Sequence, residues 1–140
     1  MAWYEVDFEH KLWTVPGERM KAGKEHRVPL SDAAMQLLES LTDTKLADTD
    51  IVFPSTRDHK PLSDMTLTAV LRRMKRDDIT VHGFRSAFRD WAAEATDYPQ
   101  EMAEMARAHI VGNKVEAAYR RGDKLEKRRA MMQAWAEHSL

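Results

Sequence analysis

The stretch LWTVPGERMKAGKEHRVPLS, residues 12 to 31, is where the chain passes from strand-like to helix-like patterning. LWTV (12–15) is a short run of β-branched and aromatic residues that stops at Pro16, as a strand does. ERMKAGKEHRVPL (18–30) reads as two further short strands joined through Ala22 and Gly23, since glycine takes a positive φ in a tight turn at no steric cost. Such a hairpin projects Lys21 near its tip, with Lys24 close behind. The period changes at Ser31. This residue reads as an N-cap, Leu30 and Met35 fit a hydrophobic staple, and Ala34, Leu37, Leu38 and Leu41 recur at helical spacing.

Upstream, Tyr4, Val6 and Phe8 alternate and EHK (9–11) turns the chain, which completes a small N-terminal antiparallel sheet of about three strands. Downstream, residues 42–62 are a connector by composition, with VFPS (52–55) as a candidate short strand. The next helix opens at Ser63, with Leu62 and Leu67 as its staple. Leu67, Val70, Leu71 and Met74 form its inner face, and Arg72, Arg73 and Arg76 its outer one. A helix over about 81–95 has Thr80 as N-cap and Val81, Phe84, Phe88, Trp91, Ala92 and Ala95 as its apolar stripe. Pro99 begins another that runs toward His109. Gly112 separates it from a short helix over 113–121, and a last helix spans about 124–137. The class expected is α+β: a mainly helical single domain, residues 1–140, with the small sheet packed on a helical bundle.

A chain of 140 residues is long enough to bury roughly two-thirds of its unfolded surface without covalent staples. It contains no cysteine, which excludes disulfides, thiolate metal sites and a cysteine nucleophile. No apolar run approaches bilayer length and the N-terminus is no signal peptide, so a soluble intracellular domain is expected. Lys and Arg total 22 against 23 Asp and Glu, and a net charge of -1 argues by itself against a nucleic-acid protein. Distribution says more. LRRMKR (71–76) and YRRGDKLEKRR (119–129) concentrate base while 39–50 and 94–104 concentrate acid, as in a molecule with one positive face, although such runs also serve as solvated helix faces.

The helix that starts in DITVHGFRSAFRDWA (78–92) carries His82, Arg85 and Arg89 on the stripe beside its apolar one. A helix N-terminus offers unpaired N–H groups and partial positive charge, so cationic donors beside it make an anion site; solvated side chains are the plain alternative. His109 near a helix C-terminus and Tyr119 beside Val115 and Ala118 have plain readings too, as a dipole partner and a half-buried aromatic.

Taken in order, Lys21 on a hairpin, His82-x-x-Arg85, His109 and Tyr119 resemble the signature of the tyrosine recombinases, the phage integrase family. LWTVPGERMKAGKEHRVPLS (12–31) and HIVGNKVEAAYRRGDKLEKRRAMMQAWA (109–136) are similar to integrases of prophages and genomic islands. The resemblance covers essentially the whole chain as that family's C-terminal catalytic domain. It implies site-specific DNA recombination through a transient 3′-phosphotyrosine bond, with no metal or other cofactor. It also implies double-stranded DNA attachment sites as partner, a homo-tetramer on DNA for the full-length protein, a monomer or weak dimer for the isolated domain, and a bacterial cytoplasmic location on the nucleoid. Lys24 stands as a rival to Lys21. The basic clusters supply candidate DNA contacts in Lys24, Arg72, Arg73, Arg76, Arg89, Arg120 and Arg121.

The chemistry suits these residue types. Displacement at a phosphodiester adds charge to its non-bridging oxygens, which Arg85 can bind in pairs and His109 can meet singly. Tyr119 attacks only after losing its proton, which neutral His82 can accept or relay, and Lys21 is suited to protonate the 5′ oxygen as it leaves. His10, His26, His59 and His138 lack metal-ligand spacing. Met102, Met105, Met131 and Met132 read as core or interface filler.

Two departures from the family pattern matter. The family's further arginine, on a helix upstream of the first strand, has no counterpart before MAWYEVDFEH, nor does an N-terminal DNA-binding domain, so the chain is expected to be nearly inert and to bind DNA weakly and salt-dependently. Arg107 replaces a leucine usual two positions before His109 and is expected to pack less well or turn outward. The last helix presents Leu125, Met131, Met132 and Trp135, either to its own domain or to a neighbouring subunit. A non-catalytic integrase remnant that binds DNA or its relatives is the alternative function. A type IB topoisomerase relative shares the chemistry but fits the flanking sequence poorly.

Overall fold

A computed structural model describes residues 1–108 and 123–139. Three strands, β1 (Val6–Asp7), β2 (Leu12–Val15) and β3 (His26–Pro29), form an antiparallel sheet in chain order. The register sets Trp13 opposite Val6 on one side and Val28 on the other, with Val15 opposite His26. The helices are α1 (Asp32–Thr42), α2 (Thr66–Arg73), α3 (Gly83–Glu94), α4 (Gln100–Ala106) and α5 (Leu125–Ser139). This is the expected α+β architecture.

Several local expectations change. Tyr4 lies in a 3-10 turn, Trp3–Glu5, and is exposed, so β1 is shorter than the alternation suggests. Residues 18–30 do not form a hairpin of their own. A 3-10 turn at Gly17–Arg19 and a tight turn replace its first half, and β3 pairs with β2 instead. The apolar content of LWTV and RVPL makes that pairing the one that buries surface. VFPS is not a regular strand; the connector makes isolated bridges at Ala2–Ile51 and Pro54–Pro61, and buries Val52.

The first core lies between sheet, connector and α1, and contains Trp3, Val6, Leu30, Met35, Leu38 and Val52. Ser31 caps α1 through its hydroxyl, which accepts from the Ala34 N–H at 3.3 Å. Leu37, expected inside, is 55% exposed, because it lies more than a third of a turn from the centre of the face that Met35 and Leu38 define. The second core joins α3, α4 and α5 through Phe88, Trp91, Ala92, Met102, Ala103 and Met131. Trp135 meets Phe88 edge-on at 5.5 Å and Trp91 at 5.2 Å, so α5 closes its own domain. That helix also packs on β3, and Gln133 Oε1 accepts from the Asp32 N–H at 2.9 Å at the head of α1. It is the strut that ties sheet to helices.

Helix α2 buries none of its residues. It starts at Thr66, and the Ser63 hydroxyl pairs with Thr66 Oγ1 at 3.0 Å rather than capping a backbone N–H. Leu62, Leu67 and Met74, expected inside, are exposed, with Val70 and Leu71 half-buried. Phe84 is exposed on α3 as well, and Val81 and Ala95, also exposed, fall outside the helix, which narrows its buried stripe to Phe88, Trp91 and Ala92. The helix expected over 113–121 lies outside the described residues.

Candidate active site and nucleic-acid interface

Lys21 sits in a small closed loop between β2 and β3. The Met20 N–H donates to the Gly17 carbonyl and the Gly23 N–H to the Met20 carbonyl, both at 2.9 Å, so Lys21 occupies the second position of a four-residue turn. Gly23 closes it at φ 64°. Gly17 permits it, because a Cβ there would stand 2.8 Å from the Gly23 carbonyl oxygen. Lys21 and Lys24 are exposed and form no ion pair or side-chain hydrogen bond among the described residues.

The base of this loop is tied down by Glu5, whose role the sequence did not reveal. Its buried carboxylate accepts from the Ala2 N–H at 2.9 Å, from Trp13 Nε1 at 3.1 Å and from the Arg19 guanidinium. Burial pushes the Glu5 carboxyl up, but those donors more than offset it and hold it down to about 2.

His82 and Arg85 share the first turn of α3, where the Arg85 N–H donates to the His82 carbonyl at 3.0 Å. Thr80 accepts from the Gly83 N–H at 3.0 Å, which satisfies one orphan donor at the helix start. Both His82 and Arg85 are exposed, and neither has a side-chain partner among the described residues. Next to them, Arg72, Arg76 and Thr80 line one concavity of about 240 Å³, and Thr80 also borders a cleft of about 320 Å³ with Phe84. Arg72 and Arg73 end α2 without a carboxylate partner among the described residues.

Two of the expected DNA-contacting arginines are already engaged. Arg76 forms a two-point pair with Asp78 at 2.8 and 2.9 Å, and Arg89 lies 3.6 Å from Glu104. Arg107 does not turn outward; its side chain is largely buried and Nη1 meets Glu104 at 2.9 Å. That carboxylate therefore joins the end of α4 to α3.

A further cluster escaped sequence reasoning. On β3, Arg27 grips Asp123 through Nε at 2.9 Å and Nη2 at 2.8 Å. Arg128 of α5, only 1% exposed, donates to the carbonyls of Asp123 and Arg27. Burial raises the Asp123 carboxyl, but the Arg27 hydrogen bonds and charge outweigh it and hold it below its ordinary value. Half-buried His26 is pushed down by burial and by the Arg128 charge, and its Nε2 has no hydrogen-bond partner among the described residues. In sequence Arg128 belongs to EKRR, which looks like any solvated basic run, and no spacing rule links positions 27 and 123.

His109, Tyr119, Arg120 and Arg121 lie outside the described residues. Among the described residues no three His, Asp or Glu side chains are grouped to hold a metal ion, and no helix is long and apolar enough to cross a membrane. What the structure brings together is the head of α3 with the end of α2; no hydrogen bond or ion pair joins the Lys21 loop to α3 among the described residues.

The structure is thus an α+β domain with exposed arginines, free of carboxylate partners among the described residues, at the head of α3 and the end of α2. The model of the phage integrase family matches residues 1–126, and the chain belongs to that family. Prophage integrase IntA of Escherichia coli (strain K12) is 38% identical over 137 residues, covering 96% of this chain and 33% of the relative. The integrase of Enterobacteria phage P4 is 35% identical over 153 residues, covering 97% and 35%, and that of Shigella phage Sf6 is 33% identical over 139, covering 98% and 36%. The chain spans about a third of the length of these relatives. No solved structure matches it.

Proposed function

We propose that this chain is the part of a site-specific recombinase that cuts and rejoins DNA, with Tyr119 as nucleophile. The observation that carries it is the head of α3, where His82 and Arg85 stand exposed and without carboxylate partners among the described residues, beside the helix N-terminus. A guanidinium whose charge is not neutralised inside the fold is available to a phosphate, and an imidazole without a side-chain partner is available to a proton.

In this reading Arg85 and His109 hold the non-bridging oxygens of one phosphate. His82 takes the Tyr119 proton as the phenolic oxygen bonds to phosphorus. The bond to the 5′ oxygen breaks, and Lys21 or Lys24 protonates it. Phosphodiester energy is kept in the 3′-phosphotyrosine, so religation reverses the step with no cofactor. The wider assembly is a homo-tetramer of the full-length protein on two attachment-site duplexes in the bacterial cytoplasm, and the present chain is its C-terminal catalytic domain.

The test is a nicked duplex carrying the attachment site, from which the strand beyond the nick is lost so that covalent adduct accumulates even when cleavage is slow. The chain is assayed alone and grafted in place of the matching third of IntA. Adduct that disappears in Tyr119→Phe and falls about 10²- to 10³-fold in Arg85→Ala is expected. DNA binding without adduct in either setting would leave the non-catalytic remnant as the function.

A further inference from the structure

We propose that Asp123, gripped by Arg27 and Arg128, is a positioning residue for strand cleavage; the inference rests on the recombinase reading above. Asp123 stands four residues after Tyr119 and is the first residue after it that the structure describes. Four residues of extended chain reach at most about 14 Å, so fixing Asp123 limits where a nucleophile at 119 can stand.

The fixing is directional. Both oxygens of the carboxylate are engaged by one planar guanidinium, Arg27 Nε to Oδ2 at 2.9 Å and Nη2 to Oδ1 at 2.8 Å, which sets orientation as well as distance. Arg128 adds a bond to the Asp123 carbonyl at 3.3 Å and lies 3.7 Å from Oδ2. Next in sequence, Lys124 takes a positive φ of 52° and its ammonium meets Glu101 of α4 at 2.9 Å. The exit is thereby tied to β3, to α5 and to α4, the helix that leads toward His109.

A purely structural role accounts poorly for this arrangement. The Arg27 and Asp123 side chains are 40% and 31% exposed, and a pair that open to water adds little to global stability. Its two-point geometry does restrict the chain locally. Arg27 also lies on β3, the strand that follows the Lys21 loop, so the same guanidinium relates position 123 to the strand at the foot of the loop that carries the candidate acid.

The experiment measures adduct formation on the nicked duplex by the unaltered chain, Asp123→Asn, Arg27→Lys and the double variant, each alone and grafted in place of the matching third of IntA. Each single change is expected to slow the adduct about 10- to 100-fold, as small misplacements of reacting groups do. The double variant should be no slower than the worse single one. Affinity measured in a Tyr119→Phe background should hold, as should the melting temperature of Arg27→Lys; Asp123→Asn, which takes a negative charge away from buried Arg128, is compared well below its own melting temperature. A duplex whose leaving oxygen is replaced by sulfur needs no protonation; it should restore Lys21→Ala or Lys24→Ala but not Asp123→Asn. Rates equal to the unaltered chain, rescue by the sulfur substrate, or losses that follow the melting temperature would overturn the proposal. Should Asp123→Asn fail to fold, Arg27→Lys, which keeps the charge but not the fork, decides alone. No adduct from the unaltered chain, either alone or grafted into IntA, sinks the recombinase reading and this inference together, whereas unchanged variant rates sink only the inference.

Discussion

Gly17 and Gly23 approach so closely that a Cβ on Gly17 would sit 2.8 Å from the Gly23 carbonyl oxygen, a contact that real side chains do not make. This closes the loop that presents Lys21. Gly17→Ala must push backbone aside and is expected to cost about 1 to 3 kcal/mol. Gly23→Ala meets no atom within 4 Å but is strained at φ 64°, at a cost of about 1 kcal/mol. Urea unfolding of the two variants checks the order, and equal, unchanged midpoints would refute the account of the loop.

Glu5 makes the fold acid-sensitive in a defined window. Its carboxyl is lowered from 4.5 to about 2 in the folded chain, so the unfolded chain takes up the proton first as pH falls. The stabilisation is fully present above about pH 4.5 and declines as pH falls toward 2. Glu5→Gln should remove that part of the pH dependence and lower stability at neutral pH by on the order of 2 kcal/mol, because Arg19 loses its anion. Denaturant midpoints taken from pH 7 down to 3 test it.

Arg72 and Arg76 share a concavity but should not count equally toward DNA. Arg72 has no carboxylate partner among the described residues, whereas Arg76 is held at two points by Asp78. Removing Arg72 should reduce the slope of log affinity against log salt by about 1. Arg76→Ala should change it less, and Asp78→Ala should tighten binding by releasing Arg76. Fluorescence anisotropy across a salt series reads all three, and a loosened complex in Asp78→Ala would contradict the assignment.

Met131 is fully buried where α5 meets α3 and α4. Met131→Ala should cost about 2 to 5 kcal/mol, while Phe84→Ser, at a site 57% exposed, should stay within about 0.5 kcal/mol. Chemical denaturation separates them. A costly Phe84→Ser would mean that its face is covered in solution.

Much of the local structure was legible along the chain. LWTV stops where Pro16 stops it, Ser31 caps α1, Gly23 takes its positive φ, and Pro99 heads α4, because each depends on neighbours within one turn. Thr80 was likewise readable as a cap, although the helix begins at Gly83. Apolar periodicity was less faithful. It marked Leu37, Leu67, Met74 and Phe84 as interior, yet a stripe reports only which residues share a face, and whether another element covers that face is settled elsewhere in the chain.

By itself, then, the sequence determined the class of fold, the Ser31 cap, the Gly23 turn, and the placing of His82 and Arg85 at a helix start, all of them consequences of short-range stereochemistry. Only the tertiary structure decided that β3 pairs with β2, that Asp78 and Glu104 engage Arg76 and Arg89, and that Arg27 reaches Asp123. Charges distant in sequence meet only once packing has put their elements side by side, and no periodicity encodes that meeting.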